Sequence, residues 1–578
     1  MPNSLQRLPV APSVHPRPTG ASLVIRALED EGVEVCFGMP GGAILPIYDA
    51  LAMGTTIRHV LVRHEQGAGH MAEGYARASG RPGVVLATSG PGATNLVTPI
   101  ADARMDSTPL VCITGQVRSE LIGTDAFQEC AIVDVVRPLV KGAWQVHEVD
   151  ELTEILHEAF ALARAARPGP VLVDIPRDLQ EATTRTRRNR RAIQSVEPPA
   201  LAPGLVAAAA AAVEEAQRPV LYVGGGAQAF SAETLRFAER AQMPVVATLM
   251  GKGAFPERHP LFVGWPGMHG TKAANLAFHH ADLIVAAGAR FDDRVTGRVD
   301  RFAPEAKVVH IDVDARELGK IRHADIAMHA HLGPALTAVG DHLDEPPAHR
   351  ELWRQELRAL DERYPLSYES ARIGEVLKPQ DAVVALAEAT ATLPDVVWTT
   401  GVGQHQMWAM QYIPVNAARA FVTSGGLGTM GYGLPAAIGA ALARPEATTI
   451  CVDGDGSFQM TLQELATAAA ERVPVIAVIL NNRRLGMVHQ WQTMFYEERL
   501  SASDLRPGMP SFATIARGYG AEGYEVSTLH ELRTALANAI SLRRPAVLDV
   551  LVDERESCFP IIPPGGAGIE QVEWQPRP

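Results

Sequence analysis

The stretch Asp453-Gly454-Asp455-Gly456-Ser457-Phe458-Gln459 sets two carboxylates one glycine apart, with Glu464 a little further on. Oxygen ligands at this density serve a divalent cation, and a calcium-binding loop is the first comparison. Asp453, Asp455 and Glu464 would fill its positions one, three and twelve, with Ser457 at five, but position six is Phe458 where the sharp turn needs glycine. The β-branched run TTICV before Asp453 also reads as a strand, whereas such a loop lies between helices. A different cation chemistry fits better. Beyond the acids, TLQELATAAAE has helical spacing, and VPVIAVIL is a second strand run ending in Asn481-Asn482. A strand–helix–strand crossover returns the second strand parallel to the first. Asp455 and Asn482, 27 positions apart (482 − 455), therefore reach the same sheet edge. A carboxylate and a carboxamide oxygen there suit Mg²⁺, with positions left for phosphate oxygens and water. The glycines let backbone approach a diphosphate closely. Read alone, the asparagine pair is also a strand-ending turn.

The elements that must position these groups recur along the chain. Apolar runs such as GVVLATSG, PLVCITG, PVLVDIP, PVLYVGGG, ADLIVAAG and KVVHIDVD alternate with helical patterns, and several end in glycine or an acid. That grammar predicts an α/β protein of doubly wound parallel sheets whose strand ends open into ligand crevices. Two linkers are expected, a basic then proline-rich one at 181–204 and another around LDEPPAHRELWRQ. They leave three domains, 21–185, 200–340 and 370–578, the first and third alike in size and pattern. The tail FPIIPPGGAGIEQVEW has the Pro and Gly content of an ordered lid or a tail.

Composition excludes several classes. The 578 residues are 47% hydrophobic and carry a formal charge of −13, which offers no overall pull on nucleic acid or an anionic membrane. No apolar run is long enough for a bilayer span, and residues 1–20 lack a signal core and read as a flexible tail. The cysteines Cys36, Cys112, Cys130, Cys451 and Cys558 lack metal-like spacing, as in a reduced, cytoplasmic protein.

The segment GDGSFQMTLQELATAAAERVPVIAVILNN resembles the GDG…NN motif of thiamine-diphosphate enzymes, and RRLGMVHQWQTMFYEERLS narrows the resemblance to the acetohydroxyacid (acetolactate) synthases. The resemblance spans about 21–570. It implies that Asp455 and Asn482 hold Mg²⁺ with the Arg484 backbone carbonyl, beside Gly456, Ser457 and Met487. In RHEQGAGHMAEGYARASG it implies Glu65 as the acid at the aminopyrimidine ring nitrogen, a role served best in a dry site; without the resemblance Glu65 is an acid favoured near a helix N-terminus. The same likeness places Gly42 and Ala43 by the reactive carbon. Phe127 and Gln128 go to the substrate pocket, and Val402, Gly403, Gln404, His405 and Gly428 to the cofactor. Met430, otherwise a core methionine, becomes the wedge that bends the cofactor. Glu65 and the metal site are implied to come from different subunits, so a homodimer is the minimum, with a tetramer and a regulatory small subunit left open.

In the middle block, VGGGAQ, VAAGARFDDRVTG and HIDVDA resemble a nucleotide-binding half-fold, with Asp312 placed for ribose hydroxyls. In this family the site carries FAD, here in a structural role, and GMHGTKAANLA with His269 matches a flavin-contacting segment. Arg294 is implied to grip the carboxylate of a second 2-ketoacid, and Trp491 to favour the longer acceptor. The implied reaction decarboxylates pyruvate and joins the product to pyruvate or 2-ketobutyrate, a step of branched-chain amino-acid biosynthesis. Two positions depart from the family: Arg177 in IPRDLQ, where lysine is usual in the acceptor channel, and Arg118 in GQVRSELIG, where proline is frequent. Rival expectations are a related decarboxylase or oxidase, a carboligase of a dedicated pathway, and an idle binding subunit.

Overall fold

The computed structural model describes residues 18–184, 198–344 and 349–575. The tail expected at 1–20 and the basic part of the first linker fall almost wholly outside them. Three six-stranded sheets follow one another along the chain, and every strand pair in them is parallel. In the first the spatial order is Arg58–Leu61, Val35–Gly38, Gly83–Ala87, Leu110–Gln116, Pro170–Pro176, Gly142–Gln145. The third repeats that order with Phe421–Val422, Val396–Thr400, Thr448–Gly454, Val475–Asn481, Ala546–Leu551 and Glu522–Val526. The likeness of grammar between the two ends of the chain is thus a likeness of topology. Central strands such as Val475–Asn481 are buried along their whole length, which is why they read as continuous apolar runs.

The middle sheet runs Phe262–Gly264, Val245–Ala247, Pro219–Val223, Leu283–Ala287, Lys307–Asp312, Ile326–His329. By chain order this is 3-2-1-4-5-6, the dinucleotide-binding arrangement with its crevice where the order reverses. The two strands at that reversal are followed directly by Gly224 and Gly288. A Cβ on Gly224 would lie 2.2 Å from the Gly288 carbonyl oxygen, so the loops approach only as glycines.

First and third domains pack on each other through two helices, Glu65–Ser79 and Gly433–Ala443. Glycines make the contact close: a Cβ on Gly74 would sit 2.1 Å from the Ala436 oxygen, and one on Gly439 1.8 Å from the Met71 oxygen. Met71, Leu434, Ile438, Phe458 and Ile479 consequently share one apolar core.

The second expected linker differs. His349–Arg363 is a helix, with Trp353 and Leu357, one turn apart, buried on the middle domain and the Arg350 guanidinium bonded to the carbonyls of Val213 and Ala241. The i, i+4 spacing of Trp353 and Leu357 made that stripe available. The closing tail is ordered: Ile561 pairs with Val572, and the Ile562 amide donates to the Met268 oxygen.

Asp174, inside strand Pro170–Pro176, accepts from Thr114 Oγ1 at 2.7 Å and Gln116 Nε2 at 2.9 Å, and burial pushes its carboxyl up to about 7. Folding therefore favours its protonated form. The stability it contributes is complete near pH 4 and is lost as pH rises toward 7. Asp174→Asn should remove that slope, so the thermal midpoint of the variant should gain a few degrees on wild type between pH 5 and pH 7.5. A constant difference across that range would refute the assignment.

Candidate active site

At the carboxyl edge of the third sheet, strands Thr448–Gly454 and Val475–Asn481 are register neighbours, with Gly454 opposite Leu480. Asp455 follows the first and Asn482 the second, which brings the two residues side by side. Asp455 Oδ1 accepts from the Gly456 amide at 2.8 Å, while Oδ2 is buried and has no hydrogen-bond partner among the described residues. Burial raises the Asp455 carboxyl to about 7, against the pull of the Gly456, Arg483 and Arg484 amides. Asn482 Oδ1 accepts from the Arg484 amide at 3.1 Å, and its Nδ2 donates to Gln404 Oε1 at 3.3 Å. An orphaned buried carboxylate oxygen next to a carboxamide oxygen is a donor set that fits Mg²⁺.

The neighbouring loops close over this edge. Helix Gln404–Tyr412 begins just beyond strand Val396–Thr400. His405 is desolvated to about 3, hence neutral, and its Nε2 lies 3.3 Å from Asp453 Oδ1. A Cβ on Gly454 would strike the His405 ring at 2.6 Å. Ser457 Oγ accepts from the Gly431 amide at 3.0 Å, tying the Met430 segment to the acid loop. Met430 Cε would stand 3.6 Å from a Cβ on Gly456, in contact with the acid loop. Gly428 has φ +73°, and a Cβ there would meet only Val402, at 3.9 Å. The loop is open at this position.

From this edge a cavity of about 680 Å³ runs to the crevice of the middle sheet. Its walls include Val402, Gly403, Gly428 and Met487 at one end and Gly224, Gly288, His269 and Asp312 at the other. Asp312 ends strand Lys307–Asp312, accepts from the Asp314 amide at 2.8 Å, and is raised to about 6 by burial. His269, held neutral by burial, donates from Nδ1 to the Pro560 oxygen at 3.0 Å. Glycine loops and a strand-end acid at a switch point form a cradle that fits a dinucleotide. Arg294 and Trp491 line the same cavity. The Arg294 side chain is 64% exposed, and its Nε lies 3.9 Å from Asp293 Oδ2 in a local ion pair at the surface. Trp491, on helix Gly486–Phe495, meets Phe495 edge-on at 5.5 Å between ring centroids.

The first domain gathers a separate group. Glu65 opens helix Glu65–Ser79, is 8% exposed, and accepts from Asn95 Nδ2 at 2.9 Å through Oε2. Thr88 Oγ1 accepts from the Ala43 amide at 3.3 Å, and a Cβ on Gly41 would strike the Thr88 side chain. Gly42 has open space where a Cβ would be. Gln128, at φ +62°, packs its backbone on Gly90, beside Phe127, which is 88% exposed. Among the described residues, none of Gly42, Ala43, Glu65, Phe127 and Gln128 lines the large cavity. Gln404, His405, Met430, Asp455, Gly456, Ser457, Asn482 and Arg484 are not among its lining residues either, so the cavity gathers only part of the expected site. Arg177 lies off the cavity too: its Nε meets Glu181 Oε1 at 3.0 Å, and Arg118 Nη1 meets Glu181 Oε2 at 3.0 Å. The two departures are thus joined through one glutamate.

Asn95 and Thr88 were not read from the sequence as site residues. Their signal was present in ATSGPGATN, a strand end opening into glycines at the same sheet edge as Glu65.

Comparison with known proteins covers the whole arrangement. Residues 18–135 match the family model of the thiamine pyrophosphate enzyme N-terminal TPP binding domain, 206–339 the central domain, and 401–550 the C-terminal TPP binding domain. The chain is 46% identical to the acetolactate synthase large subunit of Parasynechococcus marenigrum, over 97% of this chain and 92% of that protein. It is 43% identical to the acetolactate synthase isozyme 1 large subunit of Escherichia coli, over 97% and 98%. It is 44% identical to acetolactate synthase 2, chloroplastic, of Nicotiana tabacum, over 95% and 84%. The chain is therefore a thiamine-diphosphate-dependent enzyme of the acetolactate synthase family.

Proposed function

We propose that the chain decarboxylates pyruvate and transfers the remaining two-carbon unit to a second 2-ketoacid, within branched-chain amino-acid biosynthesis. Pyruvate as acceptor gives 2-acetolactate, and 2-ketobutyrate gives 2-aceto-2-hydroxybutyrate. The observation that carries this reading is the continuity of one cavity from the third-domain loops beside the Asp455–Asn482 edge to Arg294 and Trp491. Thiamine diphosphate, when bound, supplies the electron sink for loss of CO₂. Asp455, Asn482 and the Arg484 backbone carbonyl would hold Mg²⁺ on its diphosphate, with Gly403, Gln404, His405, Gly456 and Ser457 around it. Glu65, one oxygen braced by Asn95, holds a proton at the aminopyrimidine ring nitrogen. Met430 and Gly428 would lie against the bound cofactor and shape its seat. Arg294 presents its guanidinium fork to the acceptor carboxylate, and Gln128 faces the substrate.

The reading pairs Glu65, Gly42, Ala43 and Gln128 with the metal edge of a second copy. The working unit is then a homodimer or a larger even assembly. Asp312, His269 and the Gly224–Gly288 crevice would hold FAD in a structural role, since the reaction has no net redox step. The relatives' designation as large subunits supports a regulatory small subunit as partner. A cytoplasmic location fits the buried or half-buried thiols of Cys36, Cys112, Cys130, Cys451 and Cys558.

The direct test incubates purified protein with pyruvate, Mg²⁺ and thiamine diphosphate and follows acetolactate after its conversion to acetoin by acid. Acetolactate is the expected product; acetaldehyde alone would mean a decarboxylase. Trp491→Leu should lose about 1–3 kcal/mol of discrimination, a 10- to 200-fold fall in preference for 2-ketobutyrate, while acetolactate formation persists. Competition between the two acceptors measures this, and an unchanged product ratio would remove Trp491 from the acceptor pocket.

A further inference from the structure

Helix Val97–Asp106 of the first domain carries two buried acids one turn apart, Asp102 and Asp106. Both face a third-domain segment more than 300 residues away in sequence, Thr423–Met430, which has no regular secondary structure between strand Phe421–Val422 and helix Gly433–Ala443. Asp106 Oδ2 accepts from the Gly425 amide at 2.9 Å and Oδ1 from the Gly426 amide at 2.7 Å. Arg77 Nη1 lies 3.4 Å from Asp106 Oδ2 and also donates to the Thr423 oxygen. Asp102 Oδ1 accepts from Ser424 Oγ at 3.0 Å, and the same hydroxyl accepts from the Thr429 amide at 2.9 Å. Upstream of Met430, Thr423 and Ser424 are also held from within the third domain, by Thr400 Oγ1 and by Gln406 Nε2 on Thr423 Oγ1 and the Ser424 oxygen, whereas the side-chain partners of the Gly425 and Gly426 amides come from the first domain. Downstream, Ser457 and Thr461 hold Gly431 from within the third domain.

Charged acceptors on successive backbone amides make strong, directional bonds, and buried they are screened little by water. The segment also cannot relax sideways. A Cβ on Gly425 would strike Met250 Sδ at 2.3 Å, and one on Gly426 would come within 2.8 Å of Asp106 Oδ1. Arg77 sits in the last turn of the fifteen-residue helix that begins with Glu65, so one rod carries both the site acid and the arginine of this latch.

We propose that Asp106, with Arg77 and Asp102, is a positioning residue for Met430: the first domain sets the height of the third-domain wedge in its own chain through the Gly425 and Gly426 amides. The proposal rests on the reading of Met430 as the group that bends the cofactor. A displacement of about 1 Å at such a group costs up to a hundredfold in rate.

The test uses the full chain and two readouts besides turnover. Without cofactor, hydrogen exchange followed by mass spectrometry should show the amides of 423–429 exchanging at least tenfold faster in Asp106→Asn, where the new amide opposes a backbone N–H. With thiamine diphosphate and Mg²⁺ bound, acid-quenched deuterium exchange at the thiazolium carbon should slow about tenfold or more in Asp106→Asn and in Met430→Ala. Ser424→Ala, which cuts the Asp102 relay alone, should slow it by a smaller factor and serves as the test if Asp106→Asn does not fold. Thiazolium exchange slowed in Met430→Ala but within twofold of wild type in Asp106→Asn, or in Ser424→Ala where that variant stands in, would overturn the latch alone. Exchange unchanged in Met430→Ala would overturn the wedge reading, and the proposal with it.

Discussion

Glu65→Gln should lower acetolactate formation by about 10²- to 10⁴-fold, the range general acid–base groups contribute, while leaving the fold and cofactor binding in place. The fold should survive because the change is isosteric and Glu65 makes its side-chain hydrogen bond as an acceptor from Asn95 Nδ2, which a carboxamide oxygen can replace. What glutamine lacks is the exchangeable carboxyl proton for the ring nitrogen. The position at the first residue of helix Glu65–Ser79 also makes a local structural account available, in which the carboxylate only complements the helix terminus. The two accounts diverge in measurement. A helix-terminus role moves the thermal midpoint and leaves kcat nearly unchanged; the catalytic role moves kcat and leaves the midpoint. Glu65→Gln protein retaining more than about a tenth of wild-type kcat would remove Glu65 from the proton path.

Asp455→Ala should abolish the stabilisation that Mg²⁺ and thiamine diphosphate give together. Ligand at about a hundredfold over Kd stabilises the native state by about 2.7 kcal/mol, an increment read as a rise in thermal midpoint on adding both to wild type. In Asp455→Ala the midpoint should stay where it was. The unliganded variant should be no less stable than unliganded wild type: Asp455 Oδ2 is buried with no partner among the described residues, and deleting it removes a desolvation cost. Few buried side chains combine lost ligand response with undiminished intrinsic stability, so the pair of results is diagnostic. A cofactor-dependent rise persisting in Asp455→Ala would move the metal elsewhere.

The part of this protein that the sequence by itself determined is the part written at short range. Strand runs such as TTICV and VPVIAVIL, with a helical pattern between them, were enough to place Asp455 and Asn482 at one sheet edge, because a right-handed crossover leaves adjacent parallel strands no other arrangement. The same grammar carried three parallel α/β units and the glycine and acid ends of the middle strands. The family resemblance then supplied roles, for Glu65, Met430 and Arg294 above all, that their residue types alone leave as helix terminus, core and surface.

Tertiary structure decided what depends on contacts between remote segments. The Thr423–Met430 segment reads as a glycine loop, and nothing in it points to Asp102, Asp106 and Arg77. Arg118 and Arg177 read as two separate departures and are one cluster, because the strand ends at Gln116 and Pro176 are neighbours and Glu181 stands between the side chains. His349–Arg363 read as linker because its single apolar stripe is narrow, and only the middle domain surface gives Trp353 and Leu357 somewhere to go. The close approach of helix Glu65–Ser79 to Gly433–Ala443 is likewise a fact of domain packing, made possible by Gly74 and Gly439 at the contact. Periodicity and crossover handedness are local consequences of backbone hydrogen bonding and chirality. Which acid meets which amide across hundreds of residues is settled only when apolar faces bury one another.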